Sequence, residues 1–226
     1  MLADSLGVLR AVAPVEAGRF LEAGCGPAAV ALNLARDGWL TAGVDRSDEA
    51  VSAARSSFGL HGLEIDLRIG DVRAIPWEDA SFDLLYAGGV VEHFRDTERA
   101  LDEFRRVLSP GGVAVITVPA LTLSWPYLSL RGNVPAVPVI EDVTAFVQFR
   151  MLRGRLAAFG YERSFTRSRF AAMLRTAGFD PVSVSCYDTY LPLPQLPERL
   201  RPLARRLARH SSFCPMWCGI AVRPGN

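Results

Sequence analysis

The octapeptide LEAGCGPA, Leu21 to Ala28, constrains this chain more than any other stretch, because an apolar run ends on an acid and is followed at once by two closely spaced glycines. Phe20 and Leu21 predict the end of a strand buried in a sheet. Gly24-Cys25-Gly26 then allows a tight turn with little side-chain bulk over the backbone, so that a ligand can approach the main chain. The apolar ALNLA run, Ala31 to Ala35, predicts a helix whose N-terminal amides point back at that ligand. Strand, glycine turn and helix in this order make a nucleotide-type cradle. A glycine turn that merely connects two elements is the plainer reading, and the residues downstream decide between them.

The same rhythm repeats along the chain. Trp39 to Asp45 (WLTAGVD) predicts a second strand ending on an acid, after which Ser47 caps a helix with Asp48 and Glu49 in its first turn. Leu63 to Asp71 alternates as a strand and again ends on an acid, and Phe82 to Gly89 is a more continuously apolar fourth strand. A helix from about Thr97 to Leu108 stops at Ser109-Pro110-Gly111-Gly112, and GVAVITVP supplies a fifth strand. Ser168 opens a helix through Ala177, and strands follow over 181–187 and 216–222. Such alternation specifies an α/β fold: a Rossmann-like, doubly wound, seven-stranded, mostly parallel sheet with an antiparallel last strand. The length suits a single domain, 1–226. Within it the stretch at about 120–165 reads as an insertion, since Pro126, Pro135 and Pro138 resist regular structure before a helix pattern returns at 142–159.

Composition removes several classes of function. The formal charge of +1 comes from 25 basic and 24 acidic groups, which gives no electrostatic case for nucleic acid as a partner. Every basic residue is arginine, so Schiff-base catalysis, a lysine base and a P-loop lysine are all excluded. The N-terminus, with Asp4 ahead of any basic residue and no long apolar core, resembles neither a signal peptide nor a membrane span, and a cytoplasmic location is the default expectation. Four cysteines do not make a disulfide scaffold, so reduced thiols are expected. Cys186, Cys214 and Cys218 lack the spacing and fourth ligand of a zinc site, and no metal is expected. The arginine- and leucine-rich stretch 196–210 reads as a solvated helix with one apolar side on the sheet, peripheral membrane contact being the alternative.

Chemistry concentrates at the strand ends. Glu22, Asp45 and Asp71 fall at the carboxyl edge, where open α/β sheets bind ligands, and Asp45 lies 21 residues after Gly24, where a carboxylate can accept from both ribose hydroxyls of a nucleoside. With these residues in place, the chain resembles the class I S-adenosylmethionine-dependent methyltransferases, particularly the small-molecule branch with a methyltransferase-11-like domain. LEAGCGPA resembles that family's first motif and GVDRSDEAVSAAR its second. GDVRAIPWEDASFDLLYAGGVVEHF resembles its third and fourth, and VLSPGGVAVITVP its loop and fifth strand; the likeness resumes at SRFAAMLRTAGFDPVSV. Ala28 departs from the pattern, standing where the family usually has a third glycine.

The resemblance implies S-adenosyl-L-methionine as cofactor. Gly24, Cys25 and Gly26 would approach its methionine moiety with Glu22 near the amino group, and Ala87 and Gly88 would line the same side. Asp45 would hold the ribose, Arg46 would flank the adenine, and Asp71 with Val72 would bind the adenine edge. His93, just past the fourth strand, is the candidate base, with a pocket-shaping role as its structural counterpart. The aromatic insertion predicts an apolar lid over a small, partly hydrophobic acceptor, with Trp125, Tyr127 and Tyr161 as substrate contacts. Two rivals stand beside this reading. One is an NAD-dependent oxidoreductase, since Gly24, Gly26 and Ala29 satisfy a degenerate G-x-G-x-x-G/A pattern; the other is a non-catalytic cofactor-binding regulator of the same fold.

Overall fold

The alternating pattern closes into a seven-stranded sheet in a computed structural model, which describes residues 2–122, 163–187, 198–200, 202–203 and 211–225. Strands β1 (Arg19–Ala23), β2 (Leu40–Asp45), β3 (Asp66–Ile69), β4 (Phe82–Gly88) and β5 (Leu108–Pro119) run parallel. Strand β7 (Met216–Val222) pairs antiparallel with β5 and with β6 (Val182–Tyr187), and the order across the sheet is β3-β2-β1-β4-β5-β7-β6. Winding reverses between β1 and β4, so the crevice beyond their carboxyl ends is the natural ligand site of such a sheet.

Both faces of the sheet are covered, which is why β4 and β5 carry almost unbroken apolar runs. Helices α1 (Leu2–Val12), α2 (Ala29–Arg36) and α3 (Asp48–Leu60) pack Leu6, Leu9, Leu34, Ala54 and Phe58 around Phe20, Leu84 and Val115. On the other face α4 (Thr97–Val107) and α5 (Arg167–Thr176) press Leu101, Phe104, Phe170 and Leu174 against Leu21, Leu85 and Ile116. Ser47 caps α3 by accepting from the Ala50 amide at 3.2 Å, and Thr166 caps α5 through the Arg169 amide at 3.3 Å. No helix among the described residues is long and apolar enough to cross a membrane.

Four elements differ from the sequence expectation. Strand β3 is only Asp66–Ile69, a short edge strand with little burial, so Asp71 stands beyond its end rather than on it. The helix before Ser109-Pro110-Gly111-Gly112 ends at Val107 as expected, but the four residues lie inside β5 rather than ahead of it: Leu108 already pairs with Phe82 and Val113 with Leu84, and the tetrapeptide forms an irregularity in the strand. Helix α1 was not foreseen, although Leu2, Leu6 and Leu9 are helically spaced. Its buried Ser5 hydrogen-bonds the hydroxyls of Tyr86, at 3.0 Å, and Tyr187, fastening the helix to the sheet. Finally, the expectation of reduced thiols fails for one pair. Because β6 and β7 are neighbours, the end of β6 meets the approach to β7, and Cys186 and Cys214, with Cα atoms 5.6 Å apart, form a disulfide. Cys25 and Cys218 remain buried thiols.

The chain leaves β5 after Pro119 and returns at Phe165, and leaves β6 after Tyr187 and returns at Met216, so both excursions depart from and rejoin the carboxyl edge. Their roots are tied together: Phe165 donates to Pro119 at 3.0 Å, Ala120 to Pro215 at 2.9 Å, and the Thr122 hydroxyl to Cys214 at 2.7 Å. The helix read over 142–159 and most of 196–210 lie outside the described residues; Glu198–Leu200 is a single 3₁₀ turn and Leu203 is exposed. Since the disulfide spans 28 residues, replacing Cys186 and Cys214 together by serine is expected to cost about 2–4 kcal/mol in urea unfolding without reductant.

Candidate functional site

A cavity of about 750 Å³ opens in the crevice between the ends of β1, β2, β3 and β4, and its wall contains Gly24, Asp45, Arg46, Val72 and His93. Gly70, Arg73, Gly89, Val90, Phe94, Arg95 and Asp96 complete it. Sequence reasoning had named the first five. Glu22, Cys25, Gly26, Asp71, Ala87 and Gly88, also named from the sequence, are not among its lining residues. Trp125, Tyr127 and Tyr161, with the proposed lid, lie outside the described residues.

The glycine turn is shaped by its neighbours. Gly24, Gly26 and Ala28 all have positive φ, at 68°, 50° and 55°. Ala28 therefore occupies, at a cost, a left-handed conformation that suits glycine, and its buried methyl group packs at the start of α2. At Gly24 a β-carbon would lie 2.5 Å from Val90 Cγ2, so the turn is pressed against the chain that follows β4. The Gly24 and Cys25 amides both donate to the Val44 carbonyl, at 2.8 and 3.0 Å, and Asp45 accepts from Gly26 at 2.8 Å and from Ser47 at 2.9 Å. Cys25 is buried beneath the turn; burial, then the charges of Glu22 and Asp45, push its thiol up to about 12, which rules it out as a nucleophile at neutral pH.

Glu22 is 6 % exposed, and its Oε2 accepts from the Ala31 amide at 2.8 Å. The expectation that the first amides of α2 all await a ligand is corrected here: this acid takes one of them, because α2 has no capping side chain of its own. Burial pushes the Glu22 carboxyl up to about 7, against the opposing pull of the Ala31 and Val30 amides.

Asp71 has the opposite character. Arg73, which the sequence reading overlooked, grips it through Nε at 3.0 Å and a terminal nitrogen at 2.7 Å, and holds its carboxyl down at about 2. The same guanidinium reaches Asp96 at 2.8 Å and lies 4.5 Å from the Phe94 ring centroid, so it bridges the end of β3 to the start of α4. The loop bearing Val72 and Arg73 is pinned to α4 from below. Glu103 accepts from Ile75 at 2.7 Å, and Arg106 donates to the carbonyls of Ile75 and Trp77 at 2.9 Å. The signal in sequence was the run of arginines and acids at 71–106, readable only once the loop is known to cross α4.

Comparison with known proteins agrees with this architecture. A family model described as a methyltransferase domain matches residues 21–116. Demethylmenaquinone methyltransferase of Thermus thermophilus is 30 % identical over 158 residues, 62 % of this chain and 72 % of that protein. The chain belongs to the methyltransferase-domain family. Ubiquinone biosynthesis O-methyltransferase of Parvibaculum lavamentivorans is 32 % identical over 123 residues, covering 54 % of this chain and 49 % of that relative; the match spans about half of its length. The solved structure of an S-adenosylmethionine dependent methyltransferase from Mesorhizobium loti aligns over 99 % of this chain and 100 % of its own at a TM-score of 0.67 and 18 % identity, which confirms the fold. The family resemblance and the doubly wound sheet read from the motifs are thus both borne out.

Two outcomes follow from this geometry. A Gly24→Ala variant is expected to lose about 2–4 kcal/mol in urea unfolding, part of which returns when Val90 is also made alanine, while the cost of the positive φ remains. The Glu22 carboxyl has a folded pKa raised above its unfolded value, so the folded state binds the extra proton between about pH 4.5 and 7. Its contribution is full below the unfolded pKa and is lost as pH rises through the folded one, about 3 kcal/mol over the window. Glu22→Gln is expected to flatten this part of the stability–pH curve measured by denaturation.

Proposed function

We propose that this chain is an S-adenosylmethionine-dependent methyltransferase that methylates a small, partly hydrophobic metabolite. The observation that carries the reading is the convergence of Gly24, Asp45 and Val72 on one cavity at the winding reversal. The wall carries Asp45 and Asp96 beside Arg46, Arg73 and Arg95; Arg73 is paired with Asp71 and Asp96, which leaves Asp45 to meet the ribose of an adenosyl cofactor, and the turn at Gly24 is kept bare of a side chain. When bound, this cofactor supplies an electrophilic methyl group on a good leaving group, open to in-line displacement.

The protein's part is placement. Asp45, already oriented by the Gly26 and Ser47 amides, would receive the ribose hydroxyls, and Val72 would pack on the adenine with Asp71 at its edge. Glu22 and the main chain near Ala87 and Gly88 would take the amino-acid end. His93, on the 3₁₀ turn Val91–His93, lines the cavity and would accept a proton from an acceptor hydroxyl or amine. The relatives named for menaquinone and ubiquinone synthesis support a small, partly apolar acceptor.

The dinucleotide alternative is disfavoured on physical grounds. A pyrophosphate would need the free amides at the start of α2, yet the Ala31 amide is already bonded to Glu22. Calorimetry is expected to show micromolar binding of S-adenosylmethionine and none of NAD; the reverse would overturn the proposal. Asp45→Asn is expected to weaken the former by about 10- to 100-fold, as loss of a charge-assisted hydrogen bond does.

A further inference from the structure

Two adjacent buried polar side chains beside the site each carry an atom with no hydrogen-bond partner. Arg163 is 9 % exposed and Ser164 is 0 % exposed, yet Arg163 Nε and Ser164 Oγ have no partner. Both sit where the chain rejoins the carboxyl edge. The Arg163 amide donates to the Glu92 carbonyl at 3.0 Å, which sets the residue directly behind the turn that presents His93 to the cavity. Its guanidinium lies 5.5 Å from the Phe165 ring centroid. That contact offsets only part of the cost of taking a permanent cation out of water, and a buried cation calls for an anion with matching oxygens. Glu92 is also buried, but its Oε2 makes no hydrogen bond to Arg163 and no ion pair joins the two among the described residues; its Oε1 lies on the Gly89 side, 3.4 Å from where a β-carbon on that glycine would stand.

We propose that Arg163 and Ser164 form the receptor for a carboxylate on the methyl acceptor, so that the substrate is a small organic acid. The planar fork of a guanidinium matches carboxylate oxygens, and the serine hydroxyl adds a second donor from the next residue. The acid group would bind on the β5 side of His93, away from the Asp45 and Val72 end of the cavity, which leaves the rest of the acceptor to face the base. This assignment deepens the methyltransferase reading and rests on it.

The test titrates the full chain, saturated with S-adenosylhomocysteine, with three matched pairs by calorimetry: benzoate and benzamide, 4-hydroxybenzoate and 4-hydroxybenzamide, decanoate and decanamide. At least one acid is expected to bind about tenfold or more tightly than its amide, a margin typical of a charge-assisted pair. Arg163→Gln is expected to reduce that preference below about twofold while the affinity for S-adenosylhomocysteine stays unchanged. Equal affinities, absence of binding by all three acids, or an acid preference that survives in R163Q overturns the proposal. A wild-type chain that fails to bind S-adenosylhomocysteine overturns the methyltransferase reading instead, so the two failures are distinct. A second measurement needs no ligand. Arg163→Met removes an uncompensated buried charge and is expected to raise the melting temperature by about 2–5 °C, whereas a fall would show a structural arginine and sink the assignment.

Discussion

One carboxylate holds together the two turns on which the site depends. Asp45 closes β2 and accepts from the Gly26 amide on one side and the Ser47 amide on the other, so the glycine turn after β1 and the start of α3 are set by a single side chain. Parallel pairing of β1 with β2 makes this possible, because it brings Ala23 level with Val44 and lets the Gly24 and Cys25 amides share the Val44 carbonyl. The turn is then shaped before any ligand arrives, and a ligand hydroxyl approaching Asp45 meets a carboxylate that cannot swing away.

Around this anchor the charges are sorted by burial. Glu22 is stripped of water and faces the start of α2, where the helix dipole and one amide offset part of its desolvation and leave its carboxyl near neutrality in pH. Asp71 keeps some contact with water and is clasped by Arg73, so it stays ionised throughout the physiological range. Two acids of similar sequence context thus differ in protonation by several pH units. The Arg73 bridge to Asp96 also joins the loop after β3 to the start of α4, and Glu103 and Arg106 hold that loop from the other side.

Much of this was legible beforehand, for local reasons. The glycine turn, the Ser47 cap and the apolar runs of β4 and β5 each express a rule that acts over a few residues. What escaped the reading involved partners far apart in sequence. Cys186 and Cys214 look unrelated until antiparallel pairing of β6 with β7 brings them together. Helix α1 takes its place through hydroxyl contacts from Ser5 to Tyr86 and Tyr187, at separations of 81 and 182 residues, which no periodicity encodes. The short β3 reflects its edge position, since a strand with one neighbour has less to gain from extending.

The sequence by itself determined the α/β class and the family, because hydrophobic period, glycine placement and acids at strand ends are local properties of the chain. Only the tertiary structure decided how each acid is used. Whether Glu22 is near-neutral, Asp71 permanently charged or Asp45 locked between two amides depends on which donors and how much water surround it, and those neighbours arrive from other strands and helices.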